Sequence, residues 1–481
     1  MCGAWACIKD RGPDPDVPGG NGGYGDTGGE DKYMLLLRIS PLDAGAATAA
    51  DVTERIKSLR IIVLSAPEDE GGTEGGADDT GGTGGTGGSG GANDATAAVP
   101  EIEYNRLITS EEFGKPTAAG FQYEIMLLTT KGKKDIYLIA NEESVGNIQY
   151  QQADGSTQNP NKSLTVFLEE YKKTTDNKTP DAAEFKKAIE AIYFEPTYER
   201  DKEDNALYLP YTSHYEVVTA DKGENGEKEV TELTMYLVPV ATKFTFKFVN
   251  KLDKDVLVNE ISVKSTDKHN FLLAHVGEDD YEKDFDGDKM YWVDWLAKVA
   301  ERTHNAPNNE EINRQYGWIS DYKIPTASTP AETTFISTKD NVIIHARESV
   351  TEEDGSTTET PSVVVLGPYY RPESRREITY PKPGTDENGE KFEETITEHQ
   401  YLLTLDLKDE DNVGPEFNDV VIKYLHALFR DTSVYITITI SGDDVEVYAE
   451  IAGWNRHDAN GWVNKGDDDM YVDPDKPGGA N

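Results

Sequence analysis

A short acidic segment offers the best set of metal ligands in this sequence. Asp284, Asp286 and Asp288 alternate along it, and Ca²⁺ prefers carboxylate oxygens as ligands. An EF-hand would continue with Gly where this chain has Lys289 and would end with Glu where it has Trp295. We therefore expect no metal site and predict an acidic loop whose last aspartate caps the following helix. A calcium site is the alternative.

The histidines do not form a recognisable catalytic or zinc-binding pattern. All eight lie between His214 and His457, and none has the spacing of two zinc ligands on one helical face. No strand-to-helix elbow of the Gly-x-Ser-x-Gly kind is predicted that would present a serine nucleophile. His345 and His426 lie in apolar runs and are predicted to be core residues. We expect a protein that is not an enzyme and that needs no cofactor.

Both cysteines, Cys2 and Cys7, lie in the first few residues. This position provides neither a disulfide framework nor the further ligands of a folded metal site. A cysteine near a processed N-terminus can instead carry a lipid, and the small residue Ala6 precedes Cys7, as such sites require. We predict Cys7 as the lipid attachment site, with Cys2 as the second choice. Two incidental thiols are the alternative.

The charge of the chain excludes some classes of partner. Its 481 residues include 90 Asp and Glu against 47 Lys and Arg, which gives a formal net charge of -43. Such a charge repels the phosphates of nucleic acid and the head groups of anionic lipids. We therefore expect neither nucleic-acid binding nor peripheral membrane binding. No segment approaches the roughly 20 apolar residues that a transmembrane helix needs.

The elements that position these residues are mostly β-strands. Between residues 433 and 451, apolar and polar residues alternate on both sides of a turn at residues 441–444. Alternation with a period of two places one set of side chains in the core and the other in water. We predict an antiparallel hairpin on the outside of a sheet, with Tyr435, Thr437 and Thr439 in solvent.

The remaining elements follow from the same patterns. Residues 59–64 are apolar on both faces, which predicts a central strand. Helical spacing behind Ser163 as N-cap, and behind Thr179 with Pro180 at the first position, predicts two short helices that pack on the sheets. A third helix is expected around Trp292. The predicted strands are residues 33–39, 57–65, 101–108, 121–129, 135–140, 206–210, 215–219, 233–238, 244–248, 256–263, 271–275, 341–345, 362–366, 400–407 and 420–428.

Composition and length divide the chain into two folded units and their connections. Residues 1–31 are rich in Gly, Pro and Asp and are expected to form a flexible leash. A Gly-rich insertion at about 67–97 is expected to be disordered, and residues 465–481 form a polar tail. Pro239 would interrupt a central ladder, so we place the domain junction there. The predicted domains are residues 32–239 and 240–464.

With the strands placed, two parts of the chain resemble a known family. Residues 56–64 and 134–142 resemble the N-terminal domain of fimbrillins, the subunits of type V pili in Bacteroidales. Residues 428–438 and 447–454 are similar to the closing strands of that family, particularly of its minor-fimbria branch. The resemblance implies two tandem transthyretin-like Greek-key β sandwiches with a few short helices. It also implies an adhesive or structural lipoprotein of the outer membrane.

The resemblance further implies polymerisation by strand exchange between fimbrial subunits. Residues 33–39 would be the strand that a protease removes, and the segment 469–474 in the tail would be the donor. Residues 41–54 contain no Arg or Lys, so Arg38 and Arg55 are the nearest candidates for cleavage. The host or bacterial surface ligand is not implied. A subunit that keeps its first strand would suit a tip or accessory position.

Two other functional hypotheses are compatible with the sequence. Trp318, Trp454 and Trp462 could stack on sugar rings, as in a surface glycan-binding lipoprotein of a nutrient-uptake system. Tryptophans of β sandwiches are more often core residues. The third hypothesis is an enzyme, for which the sign would be a cleft that gathers histidine with carboxylates.

Overall fold

The fold is described from a computed structural model of the chain. The described residues are 33–41, 54–65, 100–109, 112, 123–151, 157–158, 161–172, 181–196, 208–219, 230–267, 269–274, 282–285, 288–291, 331–351, 354–373, 377–385, 391–399, 401–409, 414–422, 425, 428, 430–441 and 444–453. The predicted leash, the Gly-rich insertion, the helix around Trp292 and the polar tail lie outside them.

The described part of the chain is mainly β, as predicted. Its strands are β1 (Tyr33–Pro41), β2 (Ser58–Ser65), β3 (Glu101–Thr109), β4 (Tyr123–Thr129), β5 (Lys133–Ala140), β6 (Gln149–Gln151), β7 (Thr157–Gln158), β8 (Ile192–Phe194), β9 (Tyr211–Val218), β10 (Val230–Pro239), β11 (Thr242–Asn250), β12 (Val256–Thr266), β13 (Asn270–Phe271), β14 (Glu282–Phe285), β15 (Asp288–Tyr291), β16 (Ala331–Ile336), β17 (Val342–Ile344), β18 (Glu348–Thr351), β19 (Thr357–Thr360), β20 (Ser362–Arg371), β21 (Glu377–Thr385), β22 (Lys391–His399), β23 (Leu402–Lys408), β24 (Glu416–Val421), β25 (Thr432–Ser441) and β26 (Asp444–Gly453). The helices are α1 (Leu164–Glu170) and α2 (Ala182–Glu190). Neither has the length or apolar content of a membrane-spanning helix.

Seven strands enclose the first hydrophobic core. Their order is β3-β2-β5-β9-β10-β1-β4, and β9 meets β10 at a corner where Val238 and Pro239 pair with Thr212 and Tyr211. Residues from both ends of this path pack into one core, so β3-β2-β5-β9 faces β10-β1-β4 as in a sandwich. The core includes Leu35, Leu37, Leu59, Ile61, Ile136, Leu138, Met235 and Leu237.

The strands β2 and β5 are buried on both faces, which confirms the prediction of a central strand at 59–64. Their second face packs against both helices in another core. Ser163 caps α1 by accepting a hydrogen bond from the N–H of Val166. The expected start of α2 behind Thr179 is wrong, because the carboxylate of Asp181 accepts bonds from the N–H groups of Ala183 and Glu184 and caps the helix there.

A buried charged network ties α1 to this sheet. Arg60 on β2 is fully buried. Its guanidinium donates to both carboxylate oxygens of Glu142, at 2.6 and 2.7 Å, and to Glu169 of α1 at 2.7 Å. It also donates to the side chain of Asn105 at 2.8 Å. The two carboxylates compensate for the cost of burying the cation.

The second core lies between two further sheets. One has the order β20-β11-β25-β26 and the other β16-β12-β23-β24, with β17 also paired to β12. The inward residues of β25 are buried in this core, as their alternation predicted. The expected solvent face of β25 is wrong: Tyr435 is 7% and Thr437 3% exposed. The reason is that β25 lies between β11 and β26, so that on its outward face Thr437 is flanked by Lys247, itself 5% exposed, and by Tyr448.

The prediction of two separate strands around β9 is also wrong. Residues 206–210 and 215–219 were expected to form two strands, but β9 is one strand that begins at Tyr211 and runs to Val218. Its side chains Thr212, Ser213 and His214 are buried although they are polar. These three polar residues were expected to separate two strands, but they lie inside β9.

A buried cation links the start of β25 to the core that contains the helices. Arg430 is fully buried, and its guanidinium is paired with Glu373. It also donates to the carbonyl oxygens of Phe271 and Leu272, at 2.8 and 3.2 Å. Phe271 of β13 is paired in turn with Tyr193 of β8. The division into two domains at Pro239 and the Greek-key connection remain predictions.

Candidate functional site

The first strand lies between two strands that are distant from it in sequence. β1 is parallel to β10 from Met34 to Pro41 and antiparallel to β4 from Tyr33 to Ile39. Both of its backbone edges are therefore paired. β2, which follows β1 along the chain, is not its neighbour in the sheet. The resemblance predicted this segment as an exchangeable strand, and the structure places it inside a sheet.

The inward side chains of β1 fill one side of the first core. Leu35 and Leu37 are fully buried and Ile39 is 2% exposed. Burial of an aliphatic side chain of this size stabilises a fold by about 1.5–3 kcal/mol. The strand is therefore an integral part of the core, and its departure would leave an apolar trough between β4 and β10.

The outward side chains of β1 change from apolar to charged along the strand. Leu36 is buried although it points away from the core, opposite Met126 of β4. Two positions later, the guanidinium of Arg38 donates to Glu232 of β10 at 2.8 Å and lies 3.5 Å from Glu124 of β4. The hydrogen bond to Glu232 raises the pKa of Arg38 above its usual value.

The two candidate cleavage residues lie in different surroundings. Arg38 is inside a strand that is paired on both sides, which keeps its backbone from entering the active site of a protease. Arg55 has an exposed side chain and lies outside the strands, before β2. Its carbonyl oxygen accepts a hydrogen bond from the side chain of Asn141 at 2.9 Å.

Glu54, the residue before Arg55, contacts strands of both the seven-stranded sheet and the sheet that contains β11 and β20. The carbonyl oxygen of Glu54 accepts a bond from the hydroxyl of Tyr211 in β9, at 2.8 Å. Its carboxylate lies 2.7 Å from the ammonium of Lys243 in β11 and accepts a bond from Tyr370 in β20, at 2.9 Å. The connection that follows β1 is thus fixed at its far end.

One cluster of histidine and carboxylates lies in the first unit, away from β1. Ligand atoms of Asp135, His214 and Glu216 lie within 4.8 Å of one another. The ammonium of Lys186 from α2 is 3.0 Å from Asp135 and 3.4 Å from Glu216, so a cation of the chain already balances both carboxylates. These three residues could hold a metal ion only if Lys186 withdrew.

The surroundings of this cluster favour a structural role over catalysis. His214 is 2% exposed, its ring is stacked on Tyr137 with centroids 4.2 Å apart, and Nε2 is 3.0 Å from Asp135. Burial raises the pKa of Asp135, but the hydrogen bond and charge of His214 and the charge of Lys186 outweigh it and lower the pKa to about 2. Burial also raises the pKa of Glu190 above its usual value. The cluster fastens α2 to β5 and β9, and its histidine is closed to a substrate.

Other predicted site residues have these positions. Asp284 lies in β14 and Asp288 begins β15, the two strands of a hairpin, so Asp288 does not cap a helix as expected. His345 is not a core residue: its side chain is exposed and Nδ1 is 3.1 Å from Asp255. Predicted residues that lie outside the described part of the chain are Cys2, Cys7, Asp286, His426, Trp318, Trp454 and Trp462.

Comparison with known proteins finds similarity only at the level of solved structures. No protein-family model and no curated protein matches the sequence. The tip fimbrial protein Mfa3 from Porphyromonas gingivalis, with a C-terminal truncation, is 12% identical; the match covers 88% of this chain and 100% of that one, with a TM-score of 0.39. A protein from Parabacteroides distasonis provisionally described as a cell adhesion protein is 10% identical, with 88% and 97% covered and a TM-score of 0.37.

A third solved structure is a provisionally described adhesin from Bacteroides thetaiotaomicron. It is 9% identical, the match covers 88% of this chain and 97% of that one, and the TM-score is 0.33. These three structural neighbours are proteins from Bacteroidales that are described as fimbrial or, provisionally, as adhesive. At these identities and TM-scores the likeness assigns neither an activity nor a partner to the chain.

Proposed function

We propose that this chain is a non-enzymatic, adhesive subunit of a fimbria on the bacterial surface. It assembles with other fimbrial subunits by exchange of β1 for a strand of a neighbouring subunit. During export it is held in the outer membrane by a lipid on Cys7, or on Cys2 as the second choice. It converts no substrate. The groove of β1 acts by pairing backbone groups and by burying apolar side chains.

The observation that carries the proposal is the position of β1. Its neighbours are β10 and β4, not the strand that follows it in sequence, so it can leave without moving β2. Its departure would unpair the facing backbone groups of both neighbours and uncover the side chains under Leu35 and Leu37. An extended segment from another subunit supplies hydrogen bonds and apolar side chains to such a trough at once.

The order of residues along the chain makes one cleavage serve two purposes. Cys7 and β1 both precede Arg55, and the exposed Arg55 lies just before β2. A cut after Arg55 would therefore separate the lipid from the body of the subunit and sever β1 from it. A cut after Arg55 requires the release of the bond from Asn141 to its carbonyl oxygen, whereas a cut after Arg38 requires a whole strand to unpair on both sides, so Arg38 is the less suitable candidate.

The proposal is tested by limited proteolysis of the full-length protein. In the presence of other fimbrial subunits sheared from the bacterial surface, we expect trace trypsin to produce oligomers that resist SDS without heating, together with a new N-terminus at Ile56 found by mass measurement. An Arg55→Gln/Lys57→Gln variant should stay monomeric under the same treatment, whereas Arg38→Gln should still assemble. Persistent monomers in that mixture, after the segment that contains β1 has been cut, would refute strand exchange.

A further inference from the structure

We infer that the groove occupied by β1 selects an extended strand of another subunit that has a run of five apolar residues, then a single Lys or Arg, then another apolar residue. The inference rests on the proposed function. It identifies the chemistry of the partner strand and excludes the segment 469–474 of this chain as that partner.

The inward positions of the groove require apolar side chains at every second residue. Leu35, Leu37 and Ile39 belong to the first core, and Tyr33, on the same face of the strand, is 6% exposed. A polar residue at one of these positions would be buried without a partner, which is costly. A replacing strand therefore needs four apolar residues with a period of two.

The outward positions add a second requirement at the start of the strand. Leu36 is 5% exposed and lies opposite Met126, and Met34 lies opposite Leu128 of β4. This end of the outer face is thus apolar as well. Together with Tyr33, Leu35 and Leu37, these positions define a continuous run of five apolar residues.

The third requirement is a cation at the position of Arg38. The carboxylates of Glu124 and Glu232 flank this position from the two neighbouring strands, and among the described residues Arg38 is the cation that pairs with both. Without β1 the two carboxylates would face the open groove together. A Lys or Arg in the incoming strand restores the pairing, whereas an acidic residue places a third negative charge there.

The tail segment of this chain does not satisfy these requirements in any register. Its sequence from Asp469 to Pro474 contains only three consecutive apolar residues, Met470 to Val472. With Met470 at the position of Leu35, Asp473 falls at the position of Arg38, between the two carboxylates. Pro474 then falls at the position of Ile39, where it gives the ladder no N–H donor. A shift by two residues puts either Pro474 at the position of Leu37 or Asp468 at that of Leu35, and a shift by one residue in either direction puts Asp473 at an inward position.

The inference is tested by strand replacement in the full-length protein. A specific protease sequence is substituted at residues 43–51, so that β1 can be cut free independently of the natural protease. The cut protein is mixed with labelled peptides of residues 33–41, either natural or with Arg38→Lys or Arg38→Glu, and with a peptide of residues 467–475. Displacement of the β1 fragment is followed by fluorescence anisotropy and native mass spectrometry.

We expect the natural and Arg38→Lys peptides to bind within about threefold of each other, and the Arg38→Glu peptide about tenfold more weakly. The peptide of residues 467–475 should bind at least about a hundredfold more weakly. In a Glu124→Gln/Glu232→Gln variant, the difference between Arg and Glu peptides should disappear. High salt should reduce it, because both carboxylates are partly exposed.

The outcomes separate the inference from the proposed function. Equal binding of the Arg and Glu peptides would overturn the charge requirement, and tight binding of the 467–475 peptide would overturn the exclusion of the tail segment as the partner strand. If no peptide enters, including the natural one, strand exchange itself fails.

Discussion

The charge of Asp135 lies beneath a helix, and its acidity follows from that position. The carboxylate is 3% exposed and is contacted by His214 and Lys186, and its pKa is lowered to about 2 from a usual 3.8. A group whose pKa is lower in the folded state stabilises the fold above its unfolded pKa, and this contribution is lost as the pH falls through the folded pKa.

We therefore expect the free energy of unfolding to decrease by about 2 kcal/mol between pH 4 and pH 2 through Asp135. An Asp135→Asn variant should be less stable at pH 5 and should lose less stability over that interval. Urea unfolding at each pH measures the difference, with the exposed Glu348→Gln as a matched control. Parallel pH profiles of Asp135→Asn and the wild type would contradict the assignment.

Buried charges of this kind could not be identified from the sequence. Arg60 and Lys134 stand in strands whose patterns predicted burial of apolar residues, yet both cations are fully buried. Their partners Glu142 and Glu103 come from other elements. His214 likewise did not stand out among the eight histidines of the sequence. The pairing of β5 with β9 brings it to Asp135.

At the scale of elements, one glycine sets the path of an edge strand. Gly367 of β20 has φ +116°, and a Cβ there would lie 2.8 Å from the carbonyl oxygen of Phe244. Between the pairs Phe244–Tyr369 and Phe246–Leu366, β20 has one residue more than β11, so the glycine lies within a bulge of β20. Both the backbone conformation and the close approach exclude a side chain.

Substitution of this glycine should therefore cost more than backbone strain alone. We expect Gly367→Ala to reduce the free energy of unfolding by about 2–4 kcal/mol. Gly355→Ala is the control, because Gly355 also has a positive φ, of +83°, but nothing lies within 4 Å of its Cβ position. Thermal and urea unfolding compare the two variants. Equal losses would show that the contact with Phe244 is unimportant.

Most elements could be predicted from the sequence, but their partners could not. The apolar run at 59–64 and the alternation around the turn at 441–444 identified strands because side-chain pattern reports which faces are buried. The same pattern does not report which strand lies alongside. The parallel pairings of β1 with β10 and of β11 with β25 join segments far apart in sequence. For that reason the burial of Tyr435 and the carboxylates around Arg38 were not predicted.

At the scale of the whole molecule, Arg430 is paired with Glu373 and links the start of β25 to the core that contains the helices, through its bond to the carbonyl oxygen of Leu272. Removal of one partner from a buried pair leaves the other charge uncompensated. We expect Arg430→Met to reduce the free energy of unfolding by about 3–5 kcal/mol. Glu373 is 3% exposed, so water cannot replace the guanidinium without disrupting the contact.

The double variant Arg430→Met/Glu373→Gln provides the matched control. It also removes the negative charge of Glu373 and should recover part of the lost stability, which urea unfolding followed by circular dichroism would measure. A decrease of less than about 1 kcal/mol in the free energy of unfolding of Arg430→Met would contradict a contact that depends on this pair. Exposed ion pairs such as Lys264 with Asp419 contribute far less.

The parallel pairing of β1 with β10 also has a consequence for the order of folding. Arg38 and its partner Glu232 are 194 positions apart, whereas β4, on the other side of β1, is made long before β10. β1 can therefore pair with β4 while its second backbone edge stays open, and closing the longer loop to β10 is the slower step. An unpaired edge of β1 is then a normal stage in the maturation of a single chain, and a strand of a neighbouring subunit can compete with β10 for that edge.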